Sequence, residues 1–153
     1  MHPKLGYSLD YPDSWNVDWT LIGYDGPLEI TNFPAGGYLH GGLLPPGGID
    51  INVQLFPGTM DENDLLVRGA AAAGNVTRSV QAINHRGVLR ADYDFHFTDS
   101  VTYRGTSFVV HVGDKLFTIL VSYEHTPPSE QDKATGEAAL SQIVTSLATG
   151  AGR

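Results

Sequence analysis

The chain has no cysteine in its 153 residues. That excludes disulfides, thiolate zinc sites and cysteine nucleophiles together. Cations are scarce and scattered: 9 Lys plus Arg stand against 17 Asp plus Glu, for a net charge of −8. Binding to a phosphate backbone grows with the number of phosphates that clustered cations neutralise, so nucleic acid is not an expected partner. No apolar run approaches the roughly 20 residues of a transmembrane helix. The opening "MHPKLGYSLD" lacks the apolar centre of a signal peptide. The chain reads as cytoplasmic as written, or as exported and membrane-anchored if a leader has been removed.

Catalytic signatures are missing as well. There is no G-x-S-x-G elbow, and the histidines His2, His40, His85, His96, His111 and His125 fall into no H-E-x-x-H spacing. "GGYLHGG" lacks the Lys-Ser/Thr that completes a phosphate loop. No cofactor is implied. Hydrophobic residues at 41% and charged residues at 17% fit one globular domain over residues 1–153.

Strand periodicity dominates what is present. In "GYSLDY", Tyr7, Leu9 and Tyr11 share a face; "NVDWTLIGY", "PLEITNF" and "IDINVQLF" continue the pattern. Pro12-Asp13-Ser14 forms a turn, because proline fixes φ and the short polar side chains bond back to the backbone. "GTMDENDLLVRGAAAAGN" reads as a helix, with Thr59 and Glu62 as a capping box and Gly74-Asn75 as its stop. "VTRSVQAIN", "VLRADYDFHF", "VTYRGTSFVVHV" and "KLFTILVSYE" then form a meander. Its joints are His85-Arg86-Gly87, Thr98-Asp99-Ser100 and Gly113-Asp114. Ser129 caps a last helix with Leu140, Ile143, Val144 and Leu147 along one stripe. In the last strand both faces carry apolar residues, so the sheet must be covered on both sides. The expected class is α+β, an antiparallel sheet sandwiched between helices.

The first strand running into "YPDSW", the central capped helix, the long hairpins and the closing "GEAALSQIVTSL" resemble the PsbP family and its relatives. These include the DcrB-type bacterial lipoproteins and the Mog-type Ran-binding protein. The resemblance covers about Leu5 to Leu147 and implies a PsbP-like α/β/α sandwich with no catalytic constellation. PsbP itself is an extrinsic subunit of photosystem II. The implied role is a non-enzymatic accessory or protein-binding domain. In this frame Tyr11, Pro12 and Trp15 read as a plug at a strand end, with the indole under the last helix.

Three candidate sites follow from the residues. The loop Phe33 to Gly48, with three Gly-Gly pairs, carries Tyr38, Leu39, His40, Leu43 and Leu44. It reads either as a recognition edge for a protein partner or as a flap folded over the sheet. Asp92-x-Asp94-x-His96 places three potential metal ligands on one strand face, giving the alternative of a metal-binding protein or metal-dependent enzyme. Against it, hard cations recruit more oxygens than two carboxylates supply, and a short loop puts Arg104 opposite Asp94 as a cross-strand ion pair. His111 reads as a histidine at the core's edge. The third site is a small-ligand pocket between sheet and helix.

Overall fold

The structure, a computed structural model, describes residues 7–18, 28–34, 44–61, 74–83, 86–98, 101–124 and 128–149. Its strands are β1 (Tyr7–Ser8), β2 (Asn16–Asp18), β3 (Leu28–Thr31), β4 (Ile49–Pro57), β5 (Gly74–Ile83), β6 (Arg86–Thr98), β7 (Val101–Val112), β8 (Lys115–Tyr123) and β9 (Ala148–Thr149). Helix α1 spans Glu130–Ser146. Seven strands form one antiparallel sheet in the order β2-β3-β4-β8-β7-β6-β5. It consists of two meanders joined where β4 pairs with β8, so the last strand formed lies near the sheet's middle.

The hairpins follow the turn chemistry, with two shifts. Val112 pairs with Lys115 across Gly113-Asp114, and Gly113 takes the positive φ of 61° that such a tight turn demands. The β6–β7 register sets Asp94 against Arg104 as expected, but Thr98, expected in the turn, pairs with Val101, and a register shift between His96 and Thr98 makes up the difference. The first joint differs: Ile83 pairs with Arg86 and Ala82 with Gly87, so Arg86 and Gly87, expected in the turn, lie inside β6.

One face of the sheet carries the hydrophobic core. Ile49, Ile51 and Val53 of β4 lie beside Tyr123, Val121 and Ile119 of β8, and Phe108 and Val110 of β7 extend the row. Helix α1 lays Ala139, Leu140, Ile143 and Val144 onto it. Ser129 starts this helix by accepting the Asp132 N–H at 3.1 Å. At the other end Leu147 leaves helical geometry and feeds β9, which pairs with β1 and ties the chain's start to its finish. Trp15, whose N–H bonds the Pro12 carbonyl at 2.9 Å, is 9% exposed and belongs to this core. The aromatic turn is a plug.

The second face is buried too, at Ala91, Val109 and Leu116, but carries acids as well. Glu29 and Asp50 are 7% and 4% exposed, and Asn52 donates an amide hydrogen to Glu29 Oε1 at 2.5 Å. Burial pushes Asp50 well above the usual carboxylate range, and the hydrogen bond and charge of Glu29 push it the same way. A helix on both faces is not what the described residues show. Among them α1 covers one face, while the helix expected from Thr59 begins as a turn at Gly58–Met60 and its residues 62–73 lie outside the described part. The architecture stated here is therefore α+β, an antiparallel sheet with a C-terminal helix.

Two outcomes are expected. Trp15→Ala should lower unfolding free energy in urea by about 3 kcal/mol, the scale for emptying a core aromatic site. For Asp50, a folded-state pKa above the unfolded one means that its contribution is full below the ordinary carboxylate range and is lost as pH rises through the folded value. Asp50→Asn should therefore gain stability on the native protein as pH climbs from about 4 to 8. A difference that stays flat over this range would show that the carboxyl is not held protonated.

Candidate functional site

The polar side of β6 does not face solvent. Arg90 and Asp92 share a face with Val88, and Val88 belongs to the core under α1. Alternation groups these three residues correctly but does not reveal which face the helix covers. Beyond the apolar core the helix meets polar side chains, and there a pocket of about 340 Å³ opens between its first two turns and the sheet.

Arg90 organises the sheet wall. Its Nε and Nη2 donate to Asp92 Oδ2 and Oδ1 at 2.9 and 3.1 Å, a bidentate pair, and its Nη1 reaches Glu137 on α1 at 3.4 Å. The guanidinium lies over the Phe108 ring, 5.3 Å from the centroid. Thr106 Oγ1 donates to Asp92 Oδ1 at 2.8 Å. Burial pulls the Arg90 pKa down, but Asp92 and Glu137 more than offset it, and the net shift is upward. The pair is about one-fifth exposed and ties helix to sheet without leaving either charge alone.

Tyr123 forms the back wall. It is 6% exposed, lines the pocket, and has no hydrogen bond to a described residue. Burial first, and then the charge of Glu137, push its pKa up to about 12 despite the opposing pull of Arg90. Its ring fits because position 136 is glycine: a Cβ there would lie 2.8 and 2.9 Å from Tyr123 Cε1 and Cζ. Glu130 and Lys133, both exposed, form the rim with Pro128.

The residues singled out from sequence divide into three groups. Asp92 lies in this pocket, but both its oxygens are engaged by Arg90 and Thr106, so a cation there would have to displace a guanidinium. The side chains of Asp94 and His96 lie outside the described part, and the described residues contain no cluster of His, Asp or Glu able to hold a metal. Of the loop candidates, Tyr38, Leu39, His40 and Leu43 lie outside the described residues. Leu44 is 5% exposed, so at its own position the side chain is buried, as the folded-flap reading has it. The turn after it is clamped, with Asn32 Nδ2 donating to the Gly47 carbonyl at 3.0 Å and Asn32 Oδ1 accepting the Ile49 N–H at 2.8 Å. His111 is exposed on β7 rather than set at the edge of the core. Tyr123, Glu137 and Lys133 were not among the sequence candidates. The one available signal was Gly136, a helix breaker inside an otherwise good helix.

No protein-family description matches the chain, and no curated protein does. Solved structures do match. A protein of Bacteroides thetaiotaomicron aligns with 94% of this chain and 45% of its own length, at 13% identity and a TM-score of 0.58. LpqN of Mycobacterium tuberculosis, involved in cell envelope biogenesis, aligns over 93% of this chain and 82% of its own, at 13% identity and a TM-score of 0.50. Cyanobacterial PsbP from Synechocystis sp. PCC 6803 aligns over 96% and 88%, at 13% identity and a TM-score of 0.51. The chain thus spans less than half of the Bacteroides protein. At such identity the likeness is one of fold, and the fold is PsbP-like. No helix among the described residues is long and apolar enough to cross a membrane.

Gly136→Ala tests how the pocket is built. In an unconstrained helix the change would stabilise by about 1 kcal/mol. Here it should destabilise, by about 1–3 kcal/mol, because the methyl group overlaps the Tyr123 ring. Introduced together with Tyr123→Ala, the same change should become favourable. A double-mutant cycle in urea measures the reversal of sign.

Proposed function

We propose that this PsbP-like domain is a non-enzymatic accessory domain that binds a protein partner, with the pocket between α1 and the sheet as its recognition point. The observation that carries this reading is the state of two groups on the pocket's inner wall, Arg90 and Tyr123. General acid–base catalysis needs a group poised near the working pH. Arg90 is held further from neutrality by Asp92 and Glu137, and Tyr123 is pushed to about 12. Such groups recognise charge and shape and do not exchange protons near neutral pH. The alternative of metal binding or metal-dependent catalysis through Asp92, Asp94 and His96 is not favoured, since Asp92 already has its partners.

A photo-activated cross-linking residue at position 133, on the pocket rim, provides the test. It should trap a specific protein, and adding Glu137→Gln should remove that adduct. The same residue at position 145, exposed at the far end of α1, should trap nothing comparable. Equal yields of the same adducts from both positions would reject the pocket as the recognition point.

A further inference from the structure

We infer that the pocket between α1 and the sheet takes a cationic side chain, a lysine or arginine of the protein partner, seated between Glu137, Glu130 and the Tyr123 hydroxyl. This rests on the reading of the pocket as a recognition point and adds the chemistry of what enters it.

Charge is the first argument. The lining holds the carboxylates Asp92, Glu130 and Glu137 against the cations Arg90 and Lys133. Asp92 and Arg90 are committed to each other at 2.9 and 3.1 Å on the inner wall. Toward the opening that leaves two acids facing one lysine. Glu137 is 35% exposed, and its bond to Arg90 is long, at 3.4 Å, so it can turn an oxygen toward a visitor without giving up a strong bond. Asp132, in the first turn of α1 with Glu130, adds to the same field. A net charge of −8 over the chain draws cations toward any such opening.

Tyr123 supplies the second argument, independent of that count. Its ring is buried in the wall, and the residue lines the cavity without a side-chain hydrogen bond to a described residue. A phenol oxygen at a cavity wall offers a ligand both an acceptor and a donor. The charges around it decide which ligand. Glu137, Asp132 and Asp92 all act on the phenol as negative neighbours and outweigh Arg90, so the potential at the oxygen is negative. An ammonium or guanidinium donating to the phenol oxygen and to Glu137 satisfies both groups. A carboxylate or phosphate would meet Lys133 at the rim and repulsion further in.

The test is a titration of the full chain, followed by amide shifts in NMR spectra. The probes are N-acetyl-lysine amide, N-acetyl-arginine amide, neutral N-acetyl-glutamine amide and sodium acetate. The cationic probes should shift Tyr123, Gly136 and Glu137, and the neutral and anionic ones should not. Glu137→Gln should weaken the cationic probes about tenfold, the size of one charge-assisted hydrogen bond. Tyr123→Phe, which keeps the ring against Gly136, should weaken them by a smaller factor. Acetate shifting these residues while the cationic probes leave them unmoved would overturn the assignment. So would silence from every probe in a protein that still gives the position-133 adduct; there the pocket reading would stand and the cation would fall. Loss of the adduct itself would remove the pocket reading instead.

Discussion

How close α1 can come to the sheet is decided at Gly136. A side chain at that position would collide with the Tyr123 ring, and its absence lets the helix axis drop onto β8. Much of the structure depends on this seat. Toward the C-terminus of the helix, Ala139, Leu140, Ile143 and Val144 reach the apolar rows of β4 and β8 and close the core. Toward its N-terminus, Glu137 comes within reach of Arg90, and the space left over becomes the pocket. A glycine inside a helix sacrifices propensity, and here the tertiary contact outweighs it. Core and pocket are two consequences of one missing methyl group.

The sheet was legible because its signals are local. Alternation located β4, β7 and β8, and turn residues such as Gly113-Asp114 set their pairing. Ser129 and the stripe ending at Leu147 located α1 in the same way. The candidate site was not legible, because its parts are local to nothing. Arg90 and Asp92 look like a solvated strand face, and only the seating of a helix some forty residues later makes them a wall. Glu29 misleads for the same reason, since "PLEITNF" offers Leu28 and Ile30 as its buried side and Glu29 as its wet one, yet all three are buried. Period 2 says which residues share a face. It cannot say that both faces will be covered at that position.

The two faces manage buried acid in opposite ways, and this separates their roles. Under α1, Asp92 is matched by a guanidinium with good bidentate geometry. On the other face Asp50 lies beside Glu29 with an amide for company, and its Oδ1 finds no hydrogen-bond partner among the described residues. Two neighbouring carboxylates cannot hydrogen-bond to each other unless one holds a proton. That proton removes one of the pair's two charges and makes the site sensitive to pH. Under the proposed reading, recognition by charge belongs to the α1 face, where the pocket reaches solvent at Glu130 and Lys133. The opposite face can respond to alkalinity only by weakening its own packing. A likeness of fold at 13% identity specifies neither arrangement. Both come from the particular side chains that this sequence places on a shared frame.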